Sequence, residues 1–530
     1  MRAARANTLP ERMQEPTADQ QTAPSRDAPA PERSLRDSAV SGGLWTGAQV
    51  VVNKVVSLGG TVVMMYLLQP EQYGLASLAT SLLAAVTLLA PFTLSDVLLS
   101  RPSDVDRLMG TAMRLCIAVT ALNILALVAL APWASGHYEQ PALVGACMVM
   151  ALRPVVELML LGPQTRLRSQ LRFRTLASVD AVTQSLATLV GIAMAWAGAG
   201  YLSIVLPQIL FTGVRALLYR RACPAPAVPS PWIRAEASPM FRAYWLSGLG
   251  QYVHGGLIVA TPLIIGQFAD EQGVGLYSMS FALSASINVV VAVSMGLVLQ
   301  PVFAQMSGDY DRQAAAFLRA CRTIAALAMP VCLLQAALAP AGFHVFLPER
   351  WIGAIAMTQV LCIGQAFYFP VNPAMGLLKA QGRFAAFFAW QALQLVLALA
   401  AMFLAGYLAH DHAALAVVVV AAACPVISSP FGVWLSIRHR TSGSGGTLSI
   451  FVAPTLASAI AIGPAYVACE LLLPKGAAQD WTELVAIPIV AVLSYPTLLR
   501  LFAPDLQQEL SSIVRSVAGR LRIPRIGAAR

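Results

Sequence analysis

Charge is scarce in this chain. Asp, Glu, Lys and Arg make up 11% of its 530 residues against 57% for the hydrophobic types, and mean hydropathy is +0.67. Soluble globular proteins carry about 25% charged residues, so a water-soluble enzyme of this size is excluded. Paired cysteines are lacking too: the eight (116, 147, 223, 321, 332, 362, 424 and 469) fall singly, mostly in apolar runs and with no CxxC spacing. That argues against a disulfide framework or a metal site and for small buried hydrophobes. Also missing are GxSxG, HExxH and P-loop motifs and any connection long enough for a soluble catalytic domain. The histidine pair His410-x-His412 sits in a short connection, where a solvated turn is the default. The expectation is a protein that is not an enzyme and holds no metal or cofactor.

Apolar sequence, by contrast, is abundant. A hydrocarbon core about 30 Å thick takes roughly 20 residues per helical crossing. Apolar segments lie near 39–67, 75–98, 109–132, 142–162, 176–197, 201–219, 244–268, 276–303, 322–346, 353–378, 385–408, 413–437, 449–473 and 483–502. The expected fold class is an all-α polytopic membrane protein with about 14 transmembrane helices and both termini on one side. Residues 1–38 are polar, rich in Pro, Ala and Arg and free of an apolar h-region, so they read as a disordered cytoplasmic tail and not a signal peptide. The longest internal connection, 220–243, carries Pro224, Pro226, Pro229, Pro231 and Pro239 and reads as a semi-rigid cytoplasmic linker. It divides a six-helix lobe at 39–219 from a second at 244–437; 438–502 adds two helices, and 503–530 forms a basic cytoplasmic tail.

A short echo relates the halves: Glu71-Gln72-Tyr73-Gly74-Leu75-Ala76-Ser77 against Glu271-Gln272-Gly273-Val274-Gly275-Leu276-Tyr277-Ser278. Six crossings separate the copies, which makes the repeat a parallel one about an axis along the membrane normal. Charge placement tests the layout. Of the 35 Lys and Arg, the loops assigned outside hold only Arg350 and Lys475, segments hold Lys54 and Arg153 at depth, and all the others lie at or near the cytoplasmic side. Trp45, Trp133, Trp196, Trp245, Trp351, Trp434 and Trp481 lie near segment ends, the expected headgroup level.

An ionisable group at membrane depth costs about 2.5–3.5 kcal/mol on insertion scales, so it needs a partner, water or a ligand. Lys54 lies mid-segment, and the echo sets His254 at the matching position of the second half; the two either face a cavity suited to an anionic ligand or satisfy partners in neighbouring helices. Arg153 and Glu157 are four residues apart, on one helical face, and form either a self-satisfied pair or a cavity-lining one whose Arg offers a donor fork to phosphate or sugar. Asp96, Arg101 and Asp180, near segment ends, are candidates for a gate or ion coupling, with interfacial solvation the alternative.

Seven short strings carry a resemblance. Leu67-Leu68-Gln69-Pro70-Glu71-Gln72-Tyr73-Gly74 resembles the L-(G)-P-E-x-Y-G turn of the Wzx-type polysaccharide flippases, a branch of the multidrug/oligosaccharidyl-lipid/polysaccharide exporter superfamily. Leu94-Ser95-Asp96-Val97-Leu98, Leu152-Arg153-Pro154 and Pro163-Gln164 leading to Leu171-Arg172-Phe173-Arg174 continue it. So do Gly275-Leu276-Tyr277-Ser278, Glu349-Arg350-Trp351 and Gln381-Gly382-Arg383, in the expected order over residues 40 to about 385. One departure is Thr261-Pro262-Leu263-Ile264-Ile265-Gly266, uncharged where many relatives carry an Asp-Arg pair. The resemblance implies two six-helix lobes plus two helices around a cavity open alternately to each side of a bacterial inner membrane. The implied substrate is an oligosaccharide repeat unit on undecaprenyl pyrophosphate, moved to the periplasmic leaflet for exopolysaccharide, capsule or O-antigen assembly. Implied partners are membrane lipids, a polysaccharide polymerase and a chain-length regulator, with no nucleic acid. H+ or Na+ would be the coupling ion, through Asp96, Glu157 or His254. A cation-coupled multidrug exporter or a lipid II flippase of the same superfamily is the alternative.

Overall fold

The computed structural model describes residues 56–87, 91–99, 104–170, 172–224, 231–286, 306, 309–381, 383–438, 447–474, 476–508 and 510–511. Among these residues the chain is helical, with no strand. In order the helices are α1 (Val56–Leu67), α2 (Pro70–Val86), α3 (Pro91–Leu99), α4 (Val105–His137), α5 (Ala142–Met150), α6 (Leu152–Leu158), α7 (Leu161–Ser169), α8 (Phe173–Trp196) and α9 (Leu202–Ala222). Then come α10 (Arg234–Phe268), α11 (Glu271–Ser286), α12 (Tyr310–Phe346), α13 (Ala354–Tyr368), α14 (Pro373–Ala380), α15 (Phe384–Ala409), α16 (Ala413–Ile437), α17 (Ser449–Leu472) and α18 (Ala477–Phe502).

By length and hydropathy, 9 of the described stretches can cross a membrane, or 10 if the bent pair Ala142–Leu158 and Leu161–Ser169 is one span. One of these, Phe388–Ile437, holds most of α15 and all of α16, which reverse at His410-Asp411-His412, where His410 has φ 42°. The faces that pack on nothing are apolar: Leu393, Val396, Leu397, Leu404 and Leu408 of α15 and Ile489, Val492 and Leu493 of α18 are exposed. Apolar surface on this scale is a lipid-facing surface, and the protein is a multi-pass membrane protein. All eight cysteines carry free thiols, seven of them buried.

Three boundaries differ from hydropathy. The segment expected at 142–162 is broken into α5, α6 and α7, the last bent by 40°, because Pro154 and Pro163 each remove a backbone donor and crowd the preceding turn. The linker expected over 220–243 is shorter, since α10 begins at Arg234. Residues 234–243 are too polar to register as a span, yet the segment is pinned: Met240 and Tyr244 are buried against Leu94, Leu98 and Leu108, and Ile233 N donates to Thr111 Oγ1 at 2.9 Å. Likewise α12 starts at Tyr310, where Asp309 caps the helix by accepting from Arg312 N, and not near 322.

The echo has a structural meaning. In the first copy Pro70 occupies the opening position of α2, Glu71 complements its dipole, and Gln69 N donates to Gln72 Oε1. In the second, Asp270 Oδ1 accepts from Gly273 N at the start of α11. The two starts pack directly against each other. A Cβ on Gly74 would lie 2.7 Å from the Glu271 carbonyl carbon, and one on Gly275 would lie 2.6 Å from the Pro70 carbonyl carbon. Each glycine thus meets the first residue of the other helix, the reciprocal pattern of a two-fold axis between like elements. Around this seam α2, α4, α5, α9, α10, α11, α13, α15 and α16 share one apolar core, while α17 and α18 pack on α12.

Candidate functional site: a closed seam and two cavities

At the end of the bundle where α2 and α11 begin, the lobes hold each other. The turn after α4 reaches the end of α10: Tyr138 Oη donates to Leu263 O at 3.2 Å, Gln140 bonds Glu271, and His137 bonds Gln267. Burial raises the Tyr138 phenol above its ordinary pKa, which keeps it a neutral donor. The turn before α13 reaches the end of α1 in the same way. Arg350 Nη2 donates to Met65 O at 2.8 Å and to Tyr66 O at 2.7 Å, and Trp351 Nε1 donates to Met65 O at 2.9 Å. These carbonyls are the orphan acceptors of a helix C-terminus. Trp351, in the turn before α13, is 0% exposed and packs edge-on to Tyr73 at 5.4 Å. Trp133, Trp196, Trp245, Trp434 and Trp481 are exposed; Trp45 lies outside the described residues.

Away from the seam, α10 is the wall between two cavities. The first, about 290 Å³, is enclosed by α2, α3, α6 and α10, and its lining includes Thr80, Thr93, Arg153, Glu157, Gln251 and Tyr252. Arg153 Nε donates to Glu157 Oε1 at 2.9 Å, and the two side chains are 36% and 29% exposed. The pair uses one guanidinium edge; the terminal amino groups of Arg153 find no other partner among the described residues. Tyr252 Oη donates to Ala85 O at 3.1 Å and ties α10 to α2.

The second cavity, about 370 Å³, lies on the opposite face of α10, among α11, α13, α15 and α16. His254 lines it with Gln365, Gln391, Gln394, Tyr277, Phe281 and Tyr368. Gln391 Nε2 lies 2.7 Å from His254 Nδ1, a hydrogen bond between α15 and α10.

The structure therefore brings Arg153 and Glu157 together in one cavity and sets His254 in another. Lys54 and Arg101 lie outside the described residues. Asp96 pairs with Arg168 at 3.6 Å between α3 and α7. Asp180 accepts from Tyr219 Oη at 2.6 Å and pairs with Arg215 at 3.4 Å, clasping α8 to α9. The glutamines of the second cavity and the interlocking glycines carry no motif signal. Only the echo pointed to the glycines, as a repeat and not as a contact.

A helical bundle of this kind recurs in solved membrane proteins. The lipid II flippase MurJ in an inward closed conformation superposes with a TM-score of 0.68 at 12% identity, over 87% of this chain and 99% of that one. An inward-facing multidrug resistance MATE family transporter superposes with a TM-score of 0.52 at 12% identity, over 75% and 96%. The polysaccharide biosynthesis protein family model matches residues 63–356, and the chain belongs to that family, as the seven strings suggested. It is 22% identical over 295 residues to the teichuronic acid biosynthesis protein TuaB of Bacillus subtilis, over 55% of this chain and 61% of TuaB, so less than two thirds of that relative is matched. An uncharacterized membrane protein in the cps region of Klebsiella pneumoniae is 19% identical over 361 residues, 66% and 73% of the two chains.

Proposed function

We propose that this protein flips an oligosaccharide repeat unit carried on undecaprenyl pyrophosphate from the cytoplasmic to the periplasmic leaflet of a bacterial inner membrane. The observation that carries the reading is the Arg153–Glu157 pair, set in a cavity that helices of both lobes enclose. A guanidinium with its terminal amino groups uncommitted suits a pyrophosphate, which accepts bidentately. Because α10 belongs to the second lobe and α2, α3 and α6 to the first, rocking of the lobes reshapes the cavity and changes its affinity between states, which transport requires. The seam of α2 and α11 is the periplasmic gate in this reading and both termini are cytoplasmic, as the Lys and Arg distribution favours. Lys54 joins Arg153 on the anion; Glu157, Asp96 and Asp180 are candidates for coupling H+ or Na+. Membership of the polysaccharide biosynthesis family and the names of its relatives support the substrate class.

The test is polysaccharide output and the sidedness of lipid-linked repeat units in a deletion strain. The strain is complemented by wild type or by equally expressed Arg153→Ala or Lys54→Ala. Repeat units accumulating on the cytoplasmic face, unrelieved by the alanine variants, is the expected result. Normal polymer and sidedness in the deletion, with no second flippase present, sinks the reading and turns attention to drug export.

A further inference from the structure

The second cavity differs from the first in chemistry. Its lining holds no carboxylate and no guanidinium among the described residues, and three carboxamides, Gln365, Gln391 and Gln394, converge on it beside aromatic rings. Gln391 is held by His254 and Gln394 Nε2 reaches Cys424 Sγ at 3.5 Å, so each keeps its amide oxygen available. The Gln365 amide makes no hydrogen bond among the described residues. Phe281 stacks on Tyr277 with centroids 6.0 Å apart.

We propose that this cavity is a subsite for neutral sugar residues of the translocated glycan, an assignment that rests on the flippase reading above. A carboxamide offers an acceptor and two donors, the complement of neighbouring ring hydroxyls, and an aromatic face accepts the C–H side of a pyranose. An apolar ligand leaves the amides unpaired, and a lipophilic cation finds no counter-charge. At about 370 Å³ the cavity is at the small end of ligand sites, room for one or two rings and not for a whole repeat unit. α10, about 10–12 Å across, stands between it and Arg153, so a glycan that engages both passes around that helix. The glycan thus engages both lobes at once, its pyrophosphate against Arg153 and its neutral sugars against the glutamines.

The experiment uses the full-length protein in lipid nanodiscs at pH 8, with saturation-transfer NMR of methyl glucoside, methyl galactoside and methyl mannoside as probes. At least one glycoside is expected to bind in the millimolar range, and a methyl glucuronide at least tenfold more weakly, on the unaltered protein. Gln391→Leu/Gln394→Leu and, separately, Gln365→Leu lose at least tenfold in glycoside binding while remaining monodisperse. Absence of glycoside binding, equal binding by the leucine variants, or saturable tetraphenylphosphonium binding without glycoside binding overturns the proposal. The deletion strain separates the two claims. Misplaced lipid-linked units without glycoside binding remove the subsite alone, and glycoside binding with normal sidedness removes the flippase alone.

Discussion

The reciprocal glycines of the seam offer a quantitative test. An ordinary carbon–carbon contact is about 3.5–4.0 Å. A methyl on Gly74 or Gly275 would overlap the Glu271 or Pro70 carbonyl oxygen and stand 2.7 or 2.6 Å from its carbon, so α2 and α11 must part by more than about 1 Å. The obstacle is backbone and cannot rotate away, which places each substitution in the overpacking range of about 1–3 kcal/mol. Helix propensity returns about 0.5–1 kcal/mol of that. Gly74→Ala and Gly275→Ala should therefore each lower Tm by a few degrees in detergent. One separation of the helices accommodates both methyls, so the double variant should cost clearly less than the sum of the singles, a coupling that a double-mutant cycle reads directly. Gly136→Ala and Gly342→Ala, where an added Cβ meets nothing within 4 Å, should not lower Tm. An unshifted Gly74→Ala, or a double variant equal to the sum, refutes the interlocked seam.

Trp351→Ala should cost about 3–5 kcal/mol from a fully buried site, whereas Trp351→Phe should lose mainly the bond to Met65 O, about 1 kcal/mol; thermal unfolding with a ligand-free sample distinguishes them. Exchanging Arg153→Glu with Glu157→Arg should restore wild-type protein levels by immunoblot, because the pair survives. Polymer output should stay at least tenfold down, because the guanidinium has moved a helical turn along α6; full activity would mean the pair serves only itself. Alkaline phosphatase fused after Glu139 should be active and fused after Pro226 inactive, which checks the orientation of the bundle.

Much of the architecture was legible in the sequence because a membrane imposes a simple rule. Each crossing needs a long apolar helix. The i,i+4 spacing of Arg153 and Glu157 fixed their pairing locally, since helix geometry alone brings such residues together. The echo was visible as well, because a helix start has a chemical signature in its cap, its proline and its first-turn acid. Where helices bend or extend past the apolar stretch was not legible: hydropathy registers residue types, while Pro154 parts α6 from α5 and the polar start of α10 is pinned by packing on α3 and α4.

The sequence by itself determined a polytopic helical protein, the family resemblance and the residues that must find partners at depth. Only the tertiary structure decided which surfaces meet. It placed Gly74 against Glu271 and Gly275 against Pro70, buried Trp351 beneath α1, and put Arg153 and His254 on opposite sides of α10. Those facts depend on how helices distant in sequence rotate and approach one another. That rotation is set by the summed packing of many side chains, and no local run of residues encodes it.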